Sequence, residues 1–166
     1  MENFIRSCAG YCVATYILGI GDRHNGNILM KPSGHLFHID FGHFLGKFKS
    51  KFGIKRERAP FVFTEEMAYV MGGKNSPGFE IFNEYSCRAY NLVRKHGRRL
   101  INLFLSMVQA GMPELKEKEE ITYLKTMLSL RYTEMEADKK FRGEILKSLG
   151  STFRRIDNLI HNLKHW

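Results

Sequence analysis

The chain has 166 residues, of which 43% are hydrophobic and 13% aromatic, and this composition excludes a disordered polymer and favours one globular domain with a buried core. Its 26 Lys and Arg residues exceed its 17 Asp and Glu residues, so the formal net charge of +9 favours an acidic partner such as a nucleotide, a nucleic acid or an anionic membrane surface. The three cysteines lack the pattern of a zinc site, and no run reaches the roughly 18 apolar residues of a membrane span, so we predict an intracellular protein.

The first predicted element is a helix over residues 3–18. Small residues at positions 9, 10 and 14 are expected to allow close packing, and apolar side chains recur on one face. Gly19 and Gly21 are predicted to end the helix, because glycine commonly follows a helix C-terminus. The apolar face consists of Phe4, Cys8, Val13 and Ile17.

A β-hairpin is predicted next in the chain. The polar stretch DRHNGN at 22–27 is typical of a loop. Two short apolar runs, ILMK at 28–31 and HLFHID at 35–40, then flank the turn sequence Pro-Ser-Gly. His35 and His38 lie in the second run, and we interpret both as structural residues.

The stretch from Phe41 to Pro60 shows neither helical nor strand periodicity. A loop of this length inside a small domain is uncommon and is usually functional. Thr64 is then a predicted helix cap ahead of two glutamates, and the remainder of the chain is predicted to be helical. The helices predicted in this remainder cover residues 78–96, 98–110, 117–129, 133–149 and 151–165.

Polar residues that could support catalysis lie between Gly21 and Gly42. Asp22 and Asn27 have the spacing of the Asp and Asn in a protein-kinase catalytic loop, where the Asp engages the attacking hydroxyl and the Asn binds magnesium. Beyond the predicted hairpin, Asp40 opens an Asp-Phe-Gly triplet, whose carboxylate in kinases bridges magnesium to the phosphates. Magnesium prefers oxygen ligands of this kind, so the pattern predicts that Asn27 and Asp40 bind ATP and Mg²⁺.

The catalytic loop reads Asp-Arg-His instead of the His-Arg-Asp of protein kinases, and this inversion resembles the phosphoinositide 3-/4-kinase superfamily. The strings SCAGYCVATYILGIGDRHNGNI, LFHIDFGHFLG, KRERAPFV and GMPEL are similar to phosphoinositide 3-kinases, most specifically over residues 7–64. The resemblance implies a mainly α fold with a small β-hairpin, the C-terminal lobe of a protein-kinase-like lipid kinase with the N-terminal lobe absent. It divides residues 1–166 into a catalytic loop at 19–27, an activation loop at 40–60 and a helical remainder at 64–165.

The resemblance also implies roles for two histidines and for the basic loop. His24 and His43 are implied to contact the reacting phosphate region, and His43 and Asp22 stay open as alternative general bases. In class I enzymes two basic clusters of the activation loop read the lipid headgroup, whereas class II loops are poorer in the first cluster. We therefore expect a class I-like enzyme, with class II next. The two clusters here are Lys47, Lys49 and Lys51, and then Lys55, Arg56 and Arg58.

The activity implied by the resemblance is ATP-dependent phosphorylation of the 3-hydroxyl of phosphatidylinositol lipids, including phosphatidylinositol 4,5-bisphosphate. The implied partners are a phosphoinositide in a membrane surface and a regulatory subunit, with no nucleic acid, and the implied location is cytoplasmic and peripheral at membranes. Nothing before Gly19 supplies the phosphate-covering loop and lysine of an N-terminal lobe, so we expect a fragment that is weakly active or inactive by itself. Two alternatives stay open: a phosphatidylinositol 4-kinase, and a non-catalytic lobe that binds anionic membrane or kinase partners.

Overall fold

A computed structural model describes residues 1–21, 23–45, 59–112, 115 and 118–150. This part of the chain contains six helices and one short antiparallel hairpin, which confirms the predicted fold class, mainly α with a small β-hairpin. None of these described helices is long and apolar enough to cross a bilayer. The elements in chain order are α1 (Glu2–Ile17), β1 (Ile28–Met30), β2 (Leu36–His38), α2 (Glu65–Val70), α3 (Pro77–Lys95), α4 (Gly97–Gln109), α5 (Lys118–Leu128) and α6 (Glu134–Gly150).

Helix α1 packs its predicted apolar face chiefly against α3 and β2. All four residues of that face are buried, with at most 6% of their surface exposed. Ala9 is also buried, but Gly10 is exposed and an added Cβ would meet no atom within 4 Å, so the packing role expected for Gly10 is wrong. The helix ends before Gly19, whose φ of +55° leaves the helical path, and Gly21 lies beyond that end.

Phe141 of α6 lies at the centre of an aromatic cluster in the core. Its ring is 0% exposed and stacks on Tyr90 of α3 at 4.9 Å and on Phe61 at 5.5 Å, and it meets the edge of Tyr16 of α1 at 5.4 Å. Aromatic pairs of this kind contribute about 0.5–1.5 kcal/mol each beyond the area that they bury. The cluster therefore joins three helices to the segment that follows the predicted activation loop.

A second aromatic stack fixes the same segment two residues later. The ring of Phe63 is fully buried and lies parallel to Phe82 of α3, with ring centroids 4.3 Å apart. The thiol of Cys12 in α1 also donates to the Val62 carbonyl at 3.7 Å. These contacts hold residues 61–63 between α1 and α3, so the described chain is firmly anchored where the predicted activation loop ends.

Polar contacts show that α3 and α6 run antiparallel. Near the start of α3, Glu80 pairs with Arg142 at 2.9 Å, and near its end Asn91 donates to the carboxylate of Asp138 at 2.6 Å. Because the later residue of α3 meets the earlier residue of α6, the two helices point in opposite directions. The pairs lie at the rim of the interface and set its register, while the buried rings between them supply most of its stability.

Side-chain caps explain why the helices begin where the sequence predicts. The hydroxyl of Thr64 accepts from a backbone N–H in the first turn of α2 at 3.3 Å, as predicted, and that of Ser76 accepts from Phe79 N–H at 3.1 Å. Thr133 and Glu136 form a reciprocal capping box at the start of α6, with bonds of 2.8 and 3.3 Å. The predicted bounds of the described helices agree with the structure to one residue, except for α2, for which only the start was predicted. The helix predicted at 151–165 lies outside the described residues.

Candidate functional site

The hairpin is fixed to α1 by contacts along its second strand. The ring of His38 is buried and stacks on Tyr11 of α1 at 4.8 Å, nearly parallel. The Leu36 N–H donates to the hydroxyl of Ser7 at 2.9 Å. His35 lies at the turn, where its Nδ1 contacts the Ser33 hydroxyl at 3.0 Å. The positions of both histidines agree with their structural interpretation, and α1 carries the hairpin as a rigid support.

The hairpin register places Asn27 beside Asp40. Ile28 faces His38 across the two strands, and the Ile39 N–H donates to the Asn27 carbonyl at 3.0 Å, which extends the pairing by one residue. Ile39 therefore faces Asn27, and Asp40 is the next residue along the chain. Opposed Cα atoms in such a ladder are about 4.5–5.5 Å apart. Asn27 is only 5% exposed, and Asp40 is exposed.

Asp40 leaves the strand in an unusual backbone conformation. Its φ is +57°, in the left-handed region, which costs a non-glycine residue roughly 1–2 kcal/mol although Asp tolerates it better than most. In a continuing strand the Asp40 side chain would project to the face opposite its neighbour. The left-handed turn breaks that alternation, and Oδ1 of Asp40 lies 3.6 Å from the position a Cβ on Gly42 would occupy.

The residues after Asp40 return to the start of the predicted catalytic loop. The Gly21 N–H donates to the His43 carbonyl at 2.9 Å, and the Leu45 N–H donates to the Leu18 carbonyl at 2.6 Å. Leu45 is 3% exposed, so its side chain anchors this return in the core. His43, which is half-buried, therefore lies next to the residue that precedes Asp22.

Arg23 joins the two loops by three hydrogen bonds to backbone carbonyls. Its Nε donates to Gly21 at 2.9 Å, its Nη1 donates to Ile39 at 2.6 Å, and its Nη2 donates to Asp40. Its guanidinium also lies over the ring of Phe41, 5.5 Å from the centroid. Hydrogen bonds from a charged donor contribute about 1.5–3 kcal/mol each, enough to offset the left-handed backbone of Asp40.

His24 has its ring oriented by the loop itself. The Gly26 N–H donates to Nδ1 of His24 at 3.1 Å, and the Asn27 N–H donates to the His24 carbonyl at 2.9 Å. Since Nδ1 accepts a hydrogen bond, the neutral ring carries its proton on Nε2. The short turn thus leaves His24 with one defined tautomer whose Nε2–H is a donor.

Four of the predicted site residues come together at one end of the hairpin. They are His24, Asn27, Asp40 and His43. Asp22 lies outside the described residues, as do both basic clusters of the activation loop: Lys47, Lys49, Lys51, Lys55, Arg56 and Arg58. The predicted roles of all these residues stay predictions.

The donor set at this end of the hairpin fits a magnesium ion whose ligands come partly from the protein and partly from a nucleotide. An amide oxygen from Asn27 and a carboxylate from Asp40 are hard oxygen donors on neighbouring backbone segments. Magnesium usually takes one or two protein ligands and fills its octahedron with phosphate oxygens and water. Within the described ranges, no group of three or more His, Cys, Asp and Glu side chains forms a metal site of its own.

Two contacts of the site escaped prediction. One is the carbonyl clamp made by Arg23, which the sequence presents only as the middle residue of the loop motif. The other joins α5 to the loop: a Cβ on Gly19 would lie 2.5 Å from the ring of Tyr123. Burial raises the pKa of Tyr123 to about 12, so its phenol stays neutral beside the loop. A glycine with positive φ at a helix end predicts only the turn and carries no signal for a ring packed against it.

Comparison with known proteins shows the family of the chain. A family model described as phosphatidylinositol 3- and 4-kinase matches residues 1–117. Phosphatidylinositol 3-kinase 1 of Dictyostelium discoideum is 53% identical over 165 residues, which are 99% of this chain and 10% of the relative. Phosphatidylinositol 3-kinase C2 domain-containing subunit gamma of Rattus norvegicus is 50% identical over 165 residues, 98% of this chain and 11% of the relative.

A human relative has a similar match. Phosphatidylinositol 4-phosphate 3-kinase C2 domain-containing subunit beta is 50% identical over 165 residues, 98% of this chain and 10% of the relative. The chain thus spans about a tenth of the length of the curated relatives that it matches. Since the family model covers well over half of the sequence, including the catalytic loop, the hairpin and the Asp-Phe-Gly triplet, the chain belongs to the phosphatidylinositol 3- and 4-kinase family.

Proposed function

We propose that this chain supplies the catalytic loop, residues 19–27, and the activation loop, residues 40–60, of a lipid kinase. The proposed reaction transfers the γ-phosphate of ATP to the 3-hydroxyl of a phosphatidylinositol lipid. The observation that carries this proposal is the backbone pairing of Asn27 with Ile39, the residue before Asp40, which supports a common site for the Asn27 amide and the Asp40 carboxylate. The names of the relatives support the 3-hydroxyl as the acceptor.

Asn27 and Asp40 are the proposed magnesium ligands. A bound magnesium ion supplies positive charge that offsets the charge of the transferred phosphoryl group. The Nε2–H of His24 is a suitable donor to a phosphate oxygen, because the turn fixes that tautomer. His43 or Asp22 is the proposed general base for the inositol hydroxyl, and the bond between Gly21 and His43 supports their proximity.

The two basic clusters are the proposed headgroup readers. Each phosphate on inositol requires cationic partners, and arginine can bind two of its oxygens at once. The second cluster, Lys55, Arg56 and Arg58, is proposed to hold a phosphate common to most substrates. The first cluster is proposed to recognise the additional phosphate of phosphatidylinositol 4,5-bisphosphate. Its members are Lys47, Lys49 and Lys51.

The proposed setting is a membrane surface. The formal charge of +9 would attract the chain to anionic lipid, where the substrate headgroup is located. A regulatory subunit is a further proposed partner of the larger enzyme, because several relatives are themselves named as subunits. Both proposals concern a kinase of which this chain would be one part.

The reaction can be tested in a chimera: the segment of the Dictyostelium relative that matches this chain is removed and replaced by the 166 residues of this chain. We expect the purified chimera to transfer labelled phosphate from ATP to phosphatidylinositol vesicles in a magnesium-dependent way, at the 3-hydroxyl. The native relative is the positive control. A folded chimera that labels the 4-hydroxyl would instead favour a 4-kinase. A folded chimera without activity, but with vesicle binding, would favour a non-catalytic membrane-binding lobe.

The headgroup proposal has its own test in the same chimera. Changing the three lysines of the first cluster to Ser should reduce use of phosphatidylinositol 4,5-bisphosphate about a hundredfold or more, because each charge-assisted contact contributes about 1.5–3 kcal/mol. Use of unphosphorylated phosphatidylinositol should change far less at the same ionic strength. An equal fall for both lipids would limit these lysines to general membrane attraction and remove the main support for a class I-like enzyme.

The general base can be assigned by kinetics. Replacing His43 or Asp22 by Ala should lower the turnover number about 10²–10⁴-fold if that residue takes the proton. The Michaelis constant for ATP should change much less, because the base acts on the acceptor and not on nucleotide binding. If both variants alter only the affinity for ATP, neither residue is the base.

A further inference from the structure

Arg23 contacts the backbone on both sides of a single residue, Asp40. The Ile39 carbonyl belongs to the peptide group before the Asp40 Cα, and the Asp40 carbonyl belongs to the peptide group after it. Arg23 donates to the first from Nη1 at 2.6 Å and to the second from Nη2. The relative orientation of these two peptide groups is what the dihedral angles of Asp40 describe.

The guanidinium is a planar fork whose nitrogen atoms keep fixed relative positions. When the fork bridges both carbonyls, it restricts the rotation of the two peptide groups about the Asp40 Cα. Asp40 has a φ of +57°, a left-handed conformation that is less favourable for a non-glycine residue and that contacts such as this clamp stabilise. Because the direction of the Cα–Cβ bond follows from the backbone, the clamp also fixes the direction in which the Asp40 side chain leaves the backbone, and this limits the positions that its carboxylate can reach.

The third bond of Arg23 connects this clamp to the catalytic loop. Nε donates to the Gly21 carbonyl at 2.9 Å, while the Gly21 N–H donates to His43 at 2.9 Å. The same guanidinium lies over the ring of Phe41, the residue after Asp40, at 5.5 Å. The half-buried Arg23 therefore links the strand end, the turn at Asp40 and the loop before Asp22.

We propose that Arg23 is a positioning residue that orients the Asp40 carboxylate toward the magnesium ion by clamping the carbonyls of Ile39 and Asp40. The inference rests on the proposed function, in which Asp40 is a magnesium ligand. Arg23 itself touches neither the metal nor the substrate in this role. Lysine cannot replace it, because one ammonium group cannot bridge two carbonyls with the geometry of a planar fork.

The first test uses the 166-residue chain and requires no catalysis. Hydrogen exchange of the Gly21 and Ile39 amides, measured by NMR, should be about tenfold faster in Arg23→Lys and in Arg23→Met than in the wild type. Both amides are hydrogen-bonded between the loops that Arg23 joins. Arg142→Gln is the matched control, since it removes an arginine whose hydrogen bonds go to Glu80 of α3 instead of to the loop carbonyls, and it should leave both rates unchanged.

The second test uses the active chimera and its dependence on magnesium. Arg23→Lys should raise the magnesium concentration for half-maximal rate about 10–100-fold, as is typical when a group that orients a metal ligand is lost. The Michaelis constant for lipid should stay the same, and Arg142→Gln should shift neither value. A purely structural role would lower the rate at every magnesium concentration without shifting the half-maximal point.

The outcomes separate the two proposals. A folded wild-type chimera without activity overturns the proposed function. An active wild type combined with unchanged magnesium dependence in Arg23→Lys overturns the positioning role alone, as do exchange rates that stay at the wild-type level in both Arg23 variants. Both variants should melt no more than about 10 °C below the wild type, because the lost hydrogen bonds lie in a loop that can open locally while the core stays folded. A much larger fall in both would show that Arg23 supports the whole fold, and it would also overturn the inference.

Discussion

The helical scaffold and the loop site are held together by different forces. In the scaffold, Tyr16, Tyr90 and Phe141 are at most 4% exposed and contact one another through ring stacking and edge contacts. In the site, the strands have three residues each, Asp40 and Phe41 are exposed, and hydrogen bonds to backbone carbonyls make the connections. Apolar packing thus stabilises mainly the scaffold. The residues proposed for chemistry lie in a region that is held chiefly by hydrogen bonds, so changing them should affect stability less.

One contact bridges the two regions. Tyr123 belongs to α5, and its ring packs against the backbone at Gly19, where α1 is followed by the predicted catalytic loop. A scaffold helix therefore contacts the first residue of the loop that is proposed to carry the chemistry. At Gly19, therefore, a residue of the stable scaffold also supports the loop that is proposed to carry the chemistry.

The largest expected effect is on the scaffold. Phe141→Ala should lower the free energy of unfolding by about 3–5 kcal/mol, because the fully buried ring contacts three other rings and leaves a cavity. Chemical denaturation of the whole chain measures this change. Phe41→Ala is the matched control, because the side chain of Phe41 at the site is 46% exposed. Its loss should lower the free energy of unfolding far less. Equal losses for the two variants would contradict the division between scaffold and site.

The bridging contact predicts a smaller loss. Gly19→Ala should destabilise the chain by about 1–3 kcal/mol, because φ is +55° there and the new Cβ would lie 2.5 Å from the Tyr123 ring. Repeating the substitution in a Tyr123→Ala background should cost less, since only the backbone strain would remain. Gly10→Ala is the control of opposite sign and should stabilise α1 by about 0.5–1 kcal/mol. An unchanged cost in the Tyr123→Ala background would mean that α5 does not press on the loop.

The smallest expected effect concerns the ion pair between α3 and α6. The hydrogen bond from Arg142 holds the pKa of Glu80 below its ordinary value of 4.5. A lowered pKa means that the pair stabilises the fold above the unfolded pKa and that this contribution is lost as the pH falls through the folded value. Glu80→Gln should therefore be less stable than the wild type by at most about 1 kcal/mol near pH 7, because the pair is exposed, and the difference should vanish once the pH falls well below the folded pKa of Glu80. A difference that persists in acid would have another cause.

Much of the fold could be predicted because its signals are local. Thr64 as a cap and Gly19 as a helix-ending glycine mark helix ends within a few residues of sequence. The proximity of Asn27 and Asp40 was also predictable, since a short hairpin determines the separation of the residues at its ends. Gly10 misled the prediction because its small size was taken as a sign of close packing, although it lies about 200° around the helix from the buried Cys8 and so on the opposite face.

The rest depends on contacts between distant parts of the chain. Tyr123 and Gly19 meet only after α5 has packed against α1, and no pattern near either residue indicates that contact. Arg23 binds backbone carbonyls, which every residue possesses, so its partners leave no trace in the side-chain sequence. Its role in the loop could be recognised only once the left-handed turn at Asp40 was visible.

Lipid phosphorylation by the chimera carrying Asp40→Asn tests most directly whether the site contributes chemistry while the scaffold contributes stability. The change removes one negative charge from the proposed magnesium ligand and nearly preserves its shape. We expect labelled phosphoinositide to disappear while the melting temperature stays within about 3 °C of the unsubstituted chimera. Retained phosphorylation would contradict the assignment of Asp40 as a magnesium ligand, and a loss of activity accompanied by unfolding would contradict the separation of site from scaffold.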